Sequence, residues 1–243
     1  MKIDKVILSV NENKDYIDFW PLVSKAWERI GIEPILIYTG KGSPKVDGKV
    51  IKIYVPFVSS IFVSQNVRLL APVLFPYENC IISDIDSLPL SPKYFNDSVD
   101  KIEDTKFVIY RPDAAASNMI PICWNLAKGI VWSQIFKVKS LNGIRIKLFF
   151  WYFYYCKFNR YKWYTDQILL KKYIEHFKVK NTDVIIELND KFTKFSRIDR
   201  ASLNDDIRKL NNKEIEFSEF HMPRPLSKYK DLIIEIYEKA IEK

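Results

Sequence analysis

Over the first 110 residues, short apolar runs of β type alternate with segments whose apolar residues recur at helical spacing. The β-type runs are residues 6–10, 35–38, 50–55, 80–83 and 106–111. The helical segments are residues 17–30 and 59–71, and each is followed by a residue that ends helices, Gly31 or Pro72. Strands that alternate with helices pair in parallel and need helices over both faces of the sheet. The sequence therefore predicts an α/β fold with a mostly parallel central sheet.

The second half of the chain is less regular. Residues 120–124 and 184–188 are predicted strands, and residues 144–155, 165–177 and 233–241 are predicted helices. Residues 197–224 are polar and are predicted to be irregular. Because no internal repeat or low-complexity linker divides the 243 residues, we expect a single domain over residues 1–243.

Composition excludes several classes of protein. With 48% hydrophobic and 28% charged residues, the chain is neither disordered nor fibrous. The three cysteines Cys80, Cys123 and Cys156 lack the spacing of a metal site and are expected to be reduced, which predicts a cytoplasmic protein. The longest apolar run is much shorter than the roughly 18 residues that a membrane span needs. The chain start is predicted to be a strand rather than a signal peptide.

Positive charge is concentrated in one part of the sequence. The chain carries a formal net charge of +8, and residues 128–180 contain twelve Lys or Arg but only two acids, Asp166 and Glu175. Such a local field attracts phosphates, anionic lipid or nucleic acid.

The same region contains a dense aromatic segment. Residues 149–164 hold eleven of the 36 aromatic residues, interleaved with Lys157, Arg160 and Lys162. Aromatic rings stack on sugars, and Tyr and Trp suit a membrane interface, so peripheral contact with an anionic membrane is one expectation. A buried helix with a basic exposed rim is the plainer alternative. Binding of single-stranded nucleic acid is a third, but no nucleic-acid motif supports it.

The most informative segment is the apolar run at residues 80–83, which leads directly into Asp84 and Asp86. Ligands bind at the carboxyl ends of strands in open α/β sheets, and a D-x-D spacing aims two carboxylates at one region. Two carboxylates that lie close together repel each other unless a cation lies between them. Mg²⁺ or Mn²⁺ would satisfy them and leave positions open for phosphate oxygens. The alternative is a pair of solvated loop acids or a helix cap.

On these residues the sequence resembles the GT-A type glycosyltransferases, the nucleotide-sugar transferases with a D-x-D motif. The early strand with Ser9, Val10 and Asn11 lies where that family places its base-binding loop. Three further segments resemble family motifs: Arg68 in the helix before the D-x-D strand, Asp166 in a downstream acidic motif, and His221 in Glu219-Phe-His-Met-Pro-Arg-Pro. The compact length resembles transferases of large algal viruses and of bacterial polysaccharide clusters, and the choice between these sources stays open.

The resemblance implies a reaction and a set of roles. A divalent cation, Mn²⁺ or Mg²⁺, would be held by Asp86 and His221, with Asp84 on the metal or on the ribose. Either Arg224 or Lys228 would meet the diphosphate of the donor. Residues 1–110 would bind the nucleotide sugar, a UDP-hexose in preference to a GDP-hexose, and residues 111–243 would bind a glycan, protein or lipid-linked acceptor. Asp166 would act on the acceptor side, and its pairing with Gln167 favours a retaining mechanism.

Other interpretations of these residues stay open. Asp166 could cap a helix, Arg68 could pair with a core carboxylate, and His221 could be a surface loop residue. A metal-dependent phosphatase would also use an apolar strand followed by D-x-D, with the first aspartate as nucleophile. A non-catalytic protein that binds sugars or polyanions is the remaining alternative.

Overall fold

A computed structural model of the protein describes residues 1–156, 163–213 and 215–241. Ten strands lie within these residues: β1 (Lys5–Val10), β2 (Glu33–Tyr38), β3 (Lys49–Lys52), β4 (Asn79–Ile82), β5 (Ser87–Pro89), β6 (Phe107–Tyr110), β7 (Asn125–Lys128), β8 (Ile185–Leu188), β9 (Phe195–Asp199) and β10 (Glu216–His221). The α-helices are α1 (Lys14–Ile17), α2 (Trp20–Arg29), α3 (Ser60–Val67), α4 (Gly129–Phe136), α5 (Leu141–Trp151), α6 (Thr165–Lys178), α7 (Leu203–Asn211) and α8 (Leu226–Ile241). None of these helices is both long and apolar enough to cross a bilayer.

Among the described residues, seven strands form the central sheet in the order β3-β2-β1-β4-β7-β6-β8. All neighbours pair in parallel except β7, which is antiparallel to both β4 and β6. Strand β1 lies between β2 and β4. The strands β2 and β3 therefore lie on one side of β1, and β4, β7, β6 and β8 lie on the other. Such a reversal of strand order opens a crevice at the carboxyl ends of the two strands.

Helices cover both faces of this sheet, as the sequence predicted. In β1 the side chains of Val6, Leu8 and Val10 join one core, whereas Ile7 joins the other. The first core contains α2 and α8, and the second contains α3, α4, α5 and α6. Strand β1 is buried along its whole length because each face packs against a helical layer.

A second sheet of three strands, in the order β5-β10-β9, positions the end of the chain against the D-x-D segment. Asp84, Ile85 and Asp86 join β4 of the large sheet to β5 of the small one. Ser87 pairs with His221 in the antiparallel register of β5 and β10, and the Met222 amide donates to the Asp86 carbonyl over 2.9 Å. Two residues that are 135 positions apart in sequence, Asp86 and His221, are thereby brought together.

The structure corrects two predictions about the second half. Residues 197–224 are not irregular, because they contain the end of β9, the helix α7 and the strand β10. The strand expected at residues 120–124 instead begins at Asn125, and β7 runs antiparallel to its neighbours. Both misassignments involve strands that are shorter or more polar than the runs of the first half.

The aromatic segment is partly buried. Helix α5 continues through a π-helical turn at Tyr152–Cys156, and Leu148, Trp151 and Tyr155 point into the core, whereas Phe150 and Tyr154 are exposed. The interleaved basic residues Lys157, Arg160 and Lys162 lie outside the described residues.

Candidate active site

A cavity of about 450 Å³ lies at the carboxyl ends of β1 and β4, where the strand order reverses. Nine of the ten site residues expected from the sequence line it. They are Ser9, Val10, Asn11, Arg68, Asp84, Asp86, Asp166, His221 and Arg224. The tenth, Lys228, is exposed on the first turn of α8, with its Nζ 5.0 Å from the centre of the Tyr229 ring. Of the two basic residues that the sequence left open for the diphosphate, only Arg224 therefore reaches the cavity.

Arg68 joins two of the predicted acids. Its Nη2 lies 2.9 Å from Asp166 Oδ2, and its Nη1 donates to Asp84 Oδ1. Arg68 is 8% exposed and Asp166 is 4% exposed, so this ion pair lies almost wholly out of water. Two carboxylates from opposite halves of the chain thus share one guanidinium, which is the contact of the alternative interpretation of Arg68, and its donor-binding role stays a prediction.

The electrostatic environment differs between the two acids. Burial would raise the pKa of Asp84, but the Arg68 charge and hydrogen bond outweigh it and hold the pKa at about 2. Burial raises the pKa of Asp166 above its ordinary value, and Arg68 opposes only part of that effect. Burial likewise acts against the charge of Arg68, yet Asp84 and Asp166 raise its pKa. Arg68 and Asp84 are therefore charged at neutral pH, and Asp166 is the acid whose proton affinity is increased.

Asp166 does not occupy the N-cap position of α6. The cap residue is Tyr164, and Asp166 lies in the first turn, where its Oδ1 accepts from the Gln167 amide over 2.9 Å. The other oxygen, Oδ2, is bound to Arg68. The carboxylate therefore contributes to the helix start and to the cavity at the same time.

Cys123 holds the other side of Asp84. The Asp84 amide donates to the Cys123 sulfur over 2.9 Å, and the thiol donates to Asp84 Oδ2 over 3.1 Å. Burial raises the pKa of this thiol, and the Asp84 charge raises it further, so it is a hydrogen-bond donor rather than a nucleophile. No sequence pattern pointed to this contact, because a single cysteine carries no spacing signal.

Asp86 lies in a second cluster, which Arg200, His221 and Arg224 complete. Its Oδ2 is 2.9 Å from Arg200 Nη1, 3.5 Å from Arg224 Nε and 3.7 Å from His221 Nε2. The Arg224 guanidinium also stacks on Tyr16, 4.6 Å from the ring centre. One buried carboxylate thus faces two guanidinium groups and an imidazole, so basic groups outnumber carboxylates among the residues that line this end of the cavity.

Arg200 is a site residue that the sequence analysis missed. It follows β9 directly, and its Nη1 also donates to the Met222 carbonyl over 3.1 Å. Phe217 and Phe220 are three residues apart, and the bulge between Phe217 and Glu219 breaks the two-residue alternation of a strand, so no regular pattern predicted β10 or the position of Arg200.

His221 is oriented by Asp199. Its Nδ1 lies 3.3 Å from Asp199 Oδ2, which leaves Nε2 facing Asp86. Burial would lower the pKa of His221, but the neighbouring Asp86 carboxylate outweighs it and raises the pKa above the ordinary value. A carboxylate on one ring nitrogen is the usual support of a histidine whose other nitrogen binds a metal.

The residues present fit a divalent cation at Asp86 and His221. The 3.7 Å between Asp86 Oδ2 and His221 Nε2 suits a shared ion, since two metal–ligand bonds of about 2.1 Å span at most about 4.2 Å. Asp84 does not join them: within the described ranges, no three His, Cys, Asp or Glu side chains form a group that could hold a metal. Asp84 instead faces Arg68 and Cys123. The metal role expected of Asp84 stays a prediction.

The end of β1 and the residue that follows it bring Ser9, Val10 and Asn11 to the cavity. The Asn11 side chain accepts from the Asn13 amide over 3.1 Å and donates to Ser60 Oγ over 3.3 Å. The Val10 carbonyl accepts from the Thr39 amide over 2.9 Å. These contacts hold the end of β1 and the loop that follows it against β2 and α3.

No family model matches the sequence, and no curated protein matches it. Among solved structures, the apo form of the glycosyltransferase GlyE of Streptococcus pneumoniae TIGR4 matches 91% of this chain at 11% identity, with a TM-score of 0.50. The chain spans 55% of GlyE. A glycosyltransferase involved in the glycosylation of the major capsid of PBCV-1 matches 95% of this chain and 99% of its own, at 14% identity and a TM-score of 0.49. The galactosyltransferase LgtC matches 83% of this chain and 77% of its own, at 11% identity and a TM-score of 0.46.

The likeness to GlyE extends over 91% of this chain. It confirms the α/β architecture and the resemblance that the sequence motifs indicated. The chain has the fold of the GT-A type glycosyltransferases.

Proposed function

We propose that the protein is a metal-dependent glycosyltransferase that moves a hexose from a nucleoside diphosphate sugar, with UDP the favoured nucleotide, to a glycan, protein or lipid-linked acceptor. One observation carries the proposal. In a glycosyltransferase fold, a single cavity at the reversal of strand order collects a loop after β1, a D-x-D pair, a supported histidine and a buried acid. These are the groups that binding and transfer of a nucleotide sugar require.

The nucleotide is assigned to the end of the cavity formed by Ser9, Val10 and Asn11. Arg68 and Asp84 line the same cavity, and Arg68 donates a hydrogen bond to Asp84. Because Asp84 stays ionised and is held by Arg68, it suits a hydroxyl donor such as a ribose. Of the two roles expected of Asp84, on the metal or on the ribose, this proposal takes the ribose role.

The diphosphate is assigned to the positively charged end of the cavity. Asp86 and His221 would hold the cation, which stabilises negative charge on the leaving diphosphate as the glycosidic bond breaks. Arg200 and Arg224 are already fixed beside Asp86 and would bind the phosphate oxygens directly. Positive charge that is positioned before the reaction requires little rearrangement when the bond breaks.

The acceptor is assigned to the side of the cavity that carries Asp166, Gln167 and Trp163. Trp163 is 59% exposed and lines the cavity, so its ring is available to stack on a sugar. Asp166 would orient the acceptor hydroxyl, take its proton, or stabilise positive charge at the anomeric carbon. The Asp166-Gln167 pair favours a retaining reaction.

A thermal-shift panel tests the proposal most directly. UDP-glucose, UDP-galactose, GDP-mannose and inorganic phosphate are each added with and without Mn²⁺. A nucleotide sugar should raise the melting temperature, and Mn²⁺ should increase the shift. Stabilisation by phosphate alone would favour the phosphatase, and stabilisation by no nucleotide sugar would contradict the proposal.

Replacing Asp86 with asparagine should weaken Mn²⁺-dependent binding of UDP by about tenfold or more, because it removes the charged ligand of the cation. Isothermal titration calorimetry with UDP, in the presence and absence of Mn²⁺, measures the effect. The matched control is Asp104→Asn. The Asp104 carboxylate pairs with Lys128 and accepts from Asn79 at the amino end of β4, whereas the cavity lies at the carboxyl end. Unchanged affinity in Asp86→Asn would remove Asp86 from the metal site.

Replacing His221 with alanine should weaken Mn²⁺-dependent UDP binding in the same direction but less, because the cation keeps Asp86. The same titration, run beside a melting curve, measures it. His221→Gln keeps a polar side chain of similar length, and it should also weaken Mn²⁺-dependent UDP binding while melting close to the wild type. A lower melting temperature with unchanged UDP affinity in both variants would make His221 structural.

A further inference from the structure

A second cavity, of about 770 Å³, lies beside α5, and it shares no lining residue with the active-site cavity. Three of its side chains, Ile146, Phe150 and Tyr154, are 58%, 65% and 60% exposed. Residues at this four-residue spacing lie on one side of a helix, so the three form a continuous exposed apolar ridge. Lys137 and Lys139, in the turn before α5, are exposed beside it. We call these five residues the basic aromatic face.

The charge around this face is almost entirely positive. None of the described residues that line the cavity is acidic. The only acids in residues 128–180 are engaged elsewhere, because Asp166 is buried against Arg68 and Glu175 pairs with Lys171 at 3.3 Å. The positive charge of the face is therefore not neutralised by the acids of this segment or of the cavity lining.

The face is rigid below its surface. Ile144 and Leu148 are fully buried on the inner side of α5. Trp151 donates its indole N–H to the Tyr173 hydroxyl over 3.3 Å, and Lys147 lies 4.7 Å from the centre of the Tyr173 ring. Helix α5 is thus fixed to α6, and the exposed ridge does not need it to rearrange before binding.

We propose that the basic aromatic face docks the protein on the surface of an anionic lipid bilayer. Apolar side chains on one side of a surface helix, flanked by lysines, give the pattern that inserts at the headgroup boundary while the lysines meet lipid phosphates. A second copy of the chain is the poorer occupant, because a symmetric contact would place two uncancelled basic faces against each other. The proposal does not depend on which reaction the active site performs.

Vesicle flotation of the full chain tests the proposal without any nucleotide. Vesicles of phosphatidylcholine alone are compared with vesicles that contain increasing phosphatidylglycerol. Binding should rise with the phosphatidylglycerol content and fall when salt is added, because exposed charges are screened. Each lysine near the surface should contribute about fivefold to the binding constant.

Two double variants separate the apolar and the electrostatic contributions. Ile146→Ser/Phe150→Ser should bind anionic vesicles about tenfold or more weakly, since both side chains lose their insertion into the headgroup boundary. Lys137→Gln/Lys139→Gln should bind about 25-fold more weakly at low salt. All four positions are exposed, so the melting temperature should stay near that of the wild type.

Matched controls come from other surfaces. Tyr77→Ser removes an aromatic ring that is 85% exposed, and Lys25→Gln/Lys45→Gln removes two exposed lysines elsewhere. Neither should change vesicle binding. Equal binding to vesicles without anionic lipid, or wild-type binding by the Ile146→Ser/Phe150→Ser variant, would overturn the proposal. A third outcome would also overturn it. The wild-type chain would bind no vesicles and would be a dimer in solution, and the Ile146→Ser/Phe150→Ser variant would be a monomer. None of these outcomes would change the response of the active site to nucleotide sugars.

Discussion

Replacing Asp166 with asparagine is expected to lower turnover by about a hundredfold or more, because the proposed roles of Asp166 all require its negative charge in the transition state. The carboxylate is buried, and its pKa is raised by that burial, so its affinity for a proton is higher than that of an exposed aspartate. Asparagine keeps the size and the oxygen that accepts from the Gln167 amide. The measurement is release of UDP from UDP-glucose and UDP-galactose, with Mn²⁺ present.

Nucleotide binding separates two roles for Asp166. A catalytic residue on the acceptor side would leave the affinity for UDP near that of the wild type. A positioning residue that acts only through Arg68, 2.9 Å away, would lower UDP affinity together with turnover. Calorimetry with UDP therefore accompanies the turnover assay, and Asp104→Asn again serves as the control, since its carboxylate lies away from the cavity.

A third variant tests geometry. Asp166→Glu keeps the charge but moves the carboxylate by about 1 Å, which is enough to misalign reacting groups, so turnover should stay low. If Asp166 only supported the start of α6, asparagine would serve nearly as well as aspartate. Turnover in Asp166→Asn equal to that of the wild type would exclude Asp166 from catalysis.

The fold of the first half was predictable because its strands are short, apolar and separated by clear helix signals. Strand β1 is buried on both faces, and such strands have apolar runs that are unmistakable in sequence. The position of the D-x-D pair followed from the same logic, because a strand that runs from Asn79 to Ile82 must deliver Asp84 to its carboxyl end. The contact between Arg68 and Asp84 could not be predicted, because it depends on how α3 packs on the sheet.

The second half was less predictable for a physical reason. Strand β10 buries polar side chains, and Glu219 is 1% exposed because it pairs with Arg111 and accepts from Ser87. A buried glutamate makes a strand look like a polar loop in sequence. With β10 unrecognised, Arg200 could not be placed, because it reaches Asp86 only through the pairing of β9 with β10.

Replacing Arg68 with methionine should lower the free energy of unfolding by about 3–5 kcal/mol, the usual cost of removing one partner from a buried ion pair. Asp84 and Asp166 would then be left near each other, with only Cys123 and the Gln167 amide as partners among the contacts described. Urea denaturation measures the change. Arg208→Met removes a guanidinium that is 69% exposed and should change the free energy of unfolding by less than about 0.5 kcal/mol.

Two further measurements show whether the loss comes from the unpaired carboxylates rather than from a smaller side chain. In the wild type, Asp84 has a pKa of about 2, so its stabilising contribution is complete above the ordinary aspartate pKa and is lost only as the pH falls towards 2. In Arg68→Met, Asp84 and Asp166 lose the positive charge that lowers their pKa. They should therefore protonate at a higher pH, and protonation removes the repulsion between them. The difference in stability between the variant and the wild type should therefore be smaller at pH 4 than at pH 7.

Adding Asp166→Asn to Arg68→Met should also restore part of the stability, because it removes one of the two unpaired charges. An equal deficit at both pH values, with no recovery in the double variant, would assign the loss to packing alone.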